Sequence, residues 1–227
     1  MKIGIIVAMD KEFDCIKGLL NDPKPIYYEN RCFIYGTLGY NTIIITLCGI
    51  GKVNSAIGTY QLIQQFHPDV IISTGVAGGA SPKLEIQDVV VSTETCYHDV
   101  YFGSDTKFGQ VIGMPERFKT HDQLMKTAIS LNCGCNIHSG LIVTGDWFVD
   151  TVDKMSDILS HFPEALAVDM ESAAIAQVCH MENTAFVVFR IISDIPLKED
   201  NAQQYADFWT TLADKSFNAT KAFLEAI

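Results

Sequence analysis

The sequence predicts an α/β fold, a three-layer αβα sandwich around a central mixed β-sheet, and three observations predict it. Residues 2–8, 69–73, 137–144, 165–169 and 185–192 are short apolar runs rich in Ile, Val and Ala, as expected of strands covered on both faces. Segments with helical apolar spacing separate many of them, the alternation that places helices on either side of a largely parallel sheet. Two further runs, 32–38 and 42–48, are joined by the short "GYN", which reads as a hairpin and makes the sheet mixed.

The elements follow in chain order. After the first strand, Asp10, Lys11 and Glu12 open a helical pattern carried by Phe13, Ile16, Leu19 and Leu20. Behind the hairpin, Gly49-Ile50-Gly51 turns the chain into a helix over 53–66, which His67-Pro68 stops. The run 69–73 enters a glycine-rich loop, 75–79. Residues 88–92 and 137–144 read as strands, 153–161 as a helix, 165–169 as a strand leading into a helix from Ser172, and 185–192 as the last strand. Residues 202–227 read as one amphipathic terminal helix. Residues 97–117, rich in Gly and aromatic side chains, form a long loop, a length usually tied to function or an interface.

Composition narrows the function. At 227 residues, 48% hydrophobic and without internal repeats, the chain is expected to form one domain, 1–227. A net charge of −11 repels phosphate backbones and anionic lipids, which argues against nucleic-acid and membrane-surface partners. No apolar run approaches the ~20 residues that cross a bilayer, and the start of the chain reads as a strand rather than a signal peptide, so cytoplasm is the expected location. Seven scattered cysteines in such a setting are expected to be free thiols. Cys133-Gly134-Cys135 lacks the second pair that a structural zinc site needs, so no metal is expected.

In open α/β sheets, ligands bind beyond the carboxyl ends of strands. The residues there include Met9 and Glu12, the turn 49–51, the glycine-rich loop 75–79, residues 145–149, Asp169 to Glu171, and Ser193-Asp194. Each acid has an ordinary explanation: Glu12 in a first helical turn complements the helix dipole, Glu171 enters a helix, and Asp194 could cap a turn. Their shared position is what points to a site. The glycines match neither nucleotide-binding fingerprint, since Thr46 stands where a P-loop has its first Gly and Asn54 where the dinucleotide motif has its last. Cys96 and His98, two apart in one strand, lack the surroundings of an acyl-transfer pair.

Six segments, "MKIGIIVAMDKE", "CGIGKVNSA", "DVIISTGVAGG", "GLIVTGDWFV", "AVDMESAAIAQVC" and "FVVFRIISD", resemble in this order the 5′-methylthioadenosine/S-adenosylhomocysteine nucleosidases of the nucleoside phosphorylase superfamily. The resemblance implies hydrolysis of the N9–C1′ bond of both thionucleosides, giving adenine and methylthioribose or S-ribosylhomocysteine, with no cofactor. It also implies a homodimer whose partner subunit closes the 5′-thio pocket. By the same resemblance Glu12 activates water, Asp194 protonates adenine N7, Ser193 orients that acid and Arg190 supports the water site. Glu171 would bind the ribose hydroxyls with Met170 against the sugar, Phe148 would stack on adenine, and the Val149 backbone would read its edge. Met9, Ile50 and Phe208 would wall the alkylthio pocket, Ala77 and Gly78 would bring backbone to the base or sugar, and Val76 would lie near the water site. Asp169, where many relatives have Glu, would take a supporting part. Val76 stands where many relatives have Ser, and Ile112 near a position often held by Pro.

The chemistry fits these residue types. Adenine leaves poorly as an anion, so an acid at N7 lets it depart neutral, and burial would keep that acid protonated. A carboxylate opposite supports the oxocarbenium-like sugar and activates water. Other readings are a phosphorylase of the same superfamily, a hydrolase of 6-amino-6-deoxyfutalosine, and a silent nucleoside-binding protein. Phosphorolysis would want cations beside the glycine-rich loop, where Ile72-Ser73-Thr74 stand instead.

Overall fold

In a computed structural model, which describes residues 1–198, 201–212 and 217–227, ten strands form one mixed sheet with helices on its faces. The strands are β1 (Lys2–Val7), β2 (Asn21–Tyr28), β3 (Arg31–Leu38), β4 (Asn41–Leu47), β5 (Val70–Gly79), β6 (Val89–Tyr97), β7 (Phe118–Lys119), β8 (Ile137–Thr144), β9 (Ala165–Asp169) and β10 (Ala185–Asp194). The helices are α1 (Asp10–Lys17), α2 (Lys52–Phe66), α3 (Asp122–Ile129), α4 (Val152–His161), α5 (Ser172–Met181), α6 (Asn201–Asp207) and α7 (Asn218–Ala226). A 3-10 turn, Gly103–Asp105, interrupts the long loop, and a π-helical stretch, Phe208–Leu212, follows α6.

Side-chain alternation along the strands builds a core on each face. From β1, Ile3, Ile5 and Val7 face one cluster with Ile16 of α1, Leu124 of α3 and Phe223 of α7. Ile6 faces the other, with Leu62 of α2 and Ile175 of α5. A third cluster seats Met155 and Ile158 of α4 against Val143 of β8. Both faces are covered, which is why these strands carry near-continuous apolar sequence.

One strand organises the site. The first half of β5 pairs in parallel with β1 on one side and β10 on the other. Its last two residues, Gly78 and Gly79, leave β1 and pair antiparallel with Val168 and Ala167 of β9. Because β10 also pairs with β6, β6 with β8, and β8 with β9, strands β5, β10, β6, β8 and β9 close a hydrogen-bonded circuit. Strands β1, β4, β3 and β2 extend from β5 as an open wing.

Several elements differ from the sequence reading. The glycine-rich segment 75–79 is strand rather than loop, because β10 and β9 hydrogen-bond its backbone. Strand β6 continues past residue 92 across an irregularity between Ser92 and Glu94. Strand β2 contains Pro23 and Pro25, which argue against a strand in sequence; it lies at the sheet edge, where a missing donor is tolerated. The segment read as one terminal helix is α6, the π-helical stretch and α7 where it is described, and residues 213–216 of that expectation lie outside the described residues. Among the described residues no helix is long and apolar enough to cross a membrane.

Candidate active site

Where β5 leaves β1 for β9, the carboxyl ends of β1, β5, β9 and β10 surround an open cleft. Glu12, Ser193 and Asp194 line it. So do Met9, Ile50, Val76, Ala77 and Gly78 on one side and Phe148, Val149, Met170 and Glu171 on another. Phe208 does not. It is fully buried in the core against Trp209, and Tyr205, one helical turn earlier, lines the cleft instead, with its hydroxyl 3.6 Å from Met9 Sδ and its ring edge-on to Phe148. Nothing in the local sequence marks which of these two aromatics faces the cleft.

Glu12 enters from the first turn of α1. Its Oε2 accepts from the amides of Ala8 (3.0 Å) and Met9 (3.1 Å), and its Oε1 from the amide of Val76 (3.0 Å). The end of β1 and the middle of β5 therefore aim one carboxyl. Burial pushes its pKa up from the ordinary value, against the opposing pull of Arg190 and the three amides. The Val76 amide makes this contact whatever its side chain, so the missing Ser hydroxyl leaves the Glu12 anchor intact.

Asp194 ends β10, buried, with Ser193 Oγ donating to its Oδ1 at 2.8 Å. The Ala77 carbonyl lies 3.3 Å from the same hydroxyl, so the serine links the acid to β5. Asp194 from β10 and Glu12 from α1 thus line one cleft.

Glu171 is the N-cap of α5, and its Oε1 accepts from the amide of Gly51 at the start of α2 (3.0 Å). Its carboxyl is pushed up to about 7 by burial first and by the neighbouring Asp169 next, with Arg190 and the Gly51 amide pulling the other way. Arg190 does not line the cleft. It lies behind it, 3% exposed, with Nε 2.5 Å from Asp169 Oδ2 and a second nitrogen 3.8 Å from Glu171 Oε2.

Three features go beyond the sequence reading, which left Asp169 only a supporting part. Asp169 is the hub of the buried charges; burial disfavours its ionised form, yet Arg190 and the hydroxyls of Ser172 and Thr144 outweigh this and hold its pKa below the ordinary value. A signal existed, since Arg190 in an apolar strand needs a buried anion. Gly75 is the second: a Cβ there would meet Glu12 Oε1 at 2.6 Å and Arg190 Nη1 at 3.2 Å. Trp147 is the third, half-exposed at the mouth beside Phe148 and edge-on to the buried ring of His98.

Burial pushes the Cys96 thiol up to about 12, the reverse of an activated nucleophile. Cys133 and Cys135 are free thiols, and among the described residues no three His, Cys, Asp or Glu side chains are grouped to hold a metal ion.

The family model of the phosphorylase superfamily matches residues 2–225. The chain is 44% identical over 207 residues to the 5′-methylthioadenosine/S-adenosylhomocysteine nucleosidase of Exiguobacterium sp., covering 88% of each. It is 38% identical over 233 residues to that of Lysinibacillus sphaericus, covering 100% of this chain and 99% of the relative. The crystal structure of the Neisseria meningitidis nucleosidase in complex with methylthio-immucillin-A aligns with a TM-score of 0.92 at 34% identity, covering 100% of this chain and 99% of that one. A Borrelia burgdorferi protein described as a putative nucleosidase of the same kind, bound to adenine, gives 0.91 at 37% identity over the full length of both. The mixed sheet, the cleft at its strand ends and these matches lead to one conclusion: the chain is an N-glycosyl hydrolase belonging to the 5′-methylthioadenosine/S-adenosylhomocysteine nucleosidase family of the phosphorylase superfamily.

Proposed function

We propose that the chain, acting as one domain, hydrolyses 5′-methylthioadenosine and S-adenosylhomocysteine with Asp194 as the acid and Glu12 as the base. The observation that carries this reading is the lining of one cleft by two buried carboxyls held by separate strands, with Glu171 and Phe148 in the same cleft. Asp194 gives its proton to adenine N7 while the N9–C1′ electron pair withdraws into the base, so adenine leaves neutral. Water oxygen bonds to C1′, and its proton passes to Glu12. Burial, by raising the pKa of that carboxylate, makes it a stronger proton acceptor for that transfer. Glu171 binds the ribose hydroxyls, Met170 packs on the sugar, Phe148 stacks on the purine and the Val149 backbone reads its edge. Met9 and Ile50 wall the 5′-substituent together with Tyr205, and Val76, Ala77 and Gly78 bring the β5 backbone to the nucleoside. Ser193 orients the acid, and Arg190 acts from behind on both Glu12 and Glu171.

Water is favoured over phosphate by the lining itself. Among the described residues no Lys or Arg lines the cleft, so a phosphate nucleophile would lack the cationic ligands it needs.

The active unit is a homodimer in this reading. Val53, Ile57 and Tyr60 form an exposed stripe at helical spacing on α2, adjoining exposed Ile50 and Trp147 at the cleft mouth. Tyr101, Phe102 and Ile112 of the long loop are also exposed. Burying these surfaces against a second copy would cover the 5′ end of the cleft.

The test is adenine release from methylthioadenosine, S-adenosylhomocysteine and 6-amino-6-deoxyfutalosine, with and without phosphate. Release from the two thionucleosides at a rate indifferent to phosphate is expected. A ribose-1-phosphate-type product overturns hydrolysis, and preference for the futalosine overturns the substrate assignment.

A further inference from the structure

The structure assigns Asp169 as the positioning residue of the cleft, the anion that fixes how Arg190 divides its guanidinium between Glu12 and Glu171. This rests on the reading of Glu171 as the ribose ligand and on Glu12 as the base.

Asp169 ends β9, opposite Thr144 of β8, and its side chain is 1% exposed. Every contact it makes is with a donor. Oδ1 accepts from Thr144 Oγ1 (2.6 Å) and from the amides of Ser172 (3.2 Å) and Glu171 (3.4 Å). Oδ2 accepts from Ser172 Oγ and from Arg190 Nε (2.5 Å). One carboxylate therefore grips the Glu171 backbone and the first residue of α5 while holding the cation that faces the Glu171 side chain.

The guanidinium is planar, so fixing Nε fixes the other two nitrogens. Nη2 then stands 3.8 Å from Glu171 Oε2. Nη1 lies on the Gly75 side, where Glu12 Oε1 also converges. An unanchored guanidinium would be drawn to whichever of the two carboxylates was ionised. Anchored, it serves both, and neither can capture it.

Charge matters here as well as shape. The groups facing Glu171 are Asp169 from β9, Arg190 from β10, Glu12 from α1, the Cys48 thiol just after β4 and the Tyr205 phenol from α6. Of these, Asp169 is the leading charge that favours the protonated form of Glu171, and it also occupies the cation that would otherwise oppose it.

Asp169→Asn tests this. The amide keeps nearly the same shape but must turn an N–H toward either Arg190 Nε or the α5 amides, so one of the two holds is lost in each orientation and the negative charge is lost in both. The experiment records kcat and KM against pH for adenine release from methylthioadenosine. In the wild type KM should rise as pH falls through the Glu171 titration; no adenine release, or no such break, counts against the underlying reading rather than this one. In Asp169→Asn the break should move down by about one pH unit, as Glu171 loses an anion and gains the released cation. kcat/KM should fall about 10²-fold, the cost of misplacing a reacting group by about 1 Å. Asp169→Glu, which keeps the charge, should return the break to its wild-type position. Should Asp169→Asn not fold, Thr144→Val removes one donor to the same carboxylate and should shift the break in the same direction by less. A purely structural part for Asp169 would raise KM at every pH and leave the break in place, and that result overturns the inference.

Discussion

Replacing Gly75 with Ala tests the geometry of the cleft with a single carbon. The added Cβ would sit 2.6 Å from Glu12 Oε1 and 3.0 Å from its Cδ, so the carboxyl must retreat by about 0.8 Å to regain ordinary 3.4 Å contact. Glu12 has nowhere to go at no cost: its oxygens are tied to three amides at 3.0–3.1 Å, and it is 2% exposed. Arg190 Nη1, 3.2 Å from the same carbon, blocks one line of withdrawal. A displacement of this size in the group that activates water corresponds to about a 10²-fold loss of kcat/KM, or about 2.7 kcal/mol of transition-state stabilisation. Overpacking should lower stability by about 1–3 kcal/mol. The assay is adenine release at substrate well below KM, with urea unfolding of the same preparation to separate the two effects. A Gly75→Ala protein within twofold of wild type in kcat/KM would refute the reasoning, because Glu12 would not then be held against β5 during turnover.

Two further outcomes are expected. Asp194→Asn and Glu12→Gln should each lower kcat by at least about 10²-fold while leaving the circular dichroism spectrum unchanged; near-normal kcat in either removes that residue from its role. Burial and Asp169 push the Glu171 carboxyl up to about 7, and only when ionised can both of its oxygens accept from ribose hydroxyls, since protonation turns one of them into a donor. Its protonation as pH falls below 7 should therefore raise KM about tenfold per unit, and a KM that stays flat through that range would reject the assignment.

The parts of this molecule that could be read in advance are those fixed by local sequence. Strand β8 and strand β9 were legible to the residue, because Ile137–Thr144 and Ala165–Asp169 are apolar runs with clear limits. Strand β2 was not, because Pro23 and Pro25 suit it only once its edge position is known. The same division holds in the cleft. Glu12, Glu171 and Asp194 could be singled out because each follows a strand. Asp169 and Gly75 could not be weighed, because their parts depend on what β10 and α1 bring to them across the sheet. Helix phase decided between Tyr205 and Phe208, and a π-helical stretch beginning at Phe208 lies outside what apolar periodicity can resolve.

The closed circuit of strands has a consequence for how molecules of this kind meet. A ring has no rim, so the only long strand with a side left open is β2, on the far wing, among the described residues. Pro23 and Pro25 take two donors from that strand, leaving a poor template for backbone-to-backbone addition of a neighbour. Crowded copies are thereby steered away from ribbon-like stacking and toward contacts made by side chains.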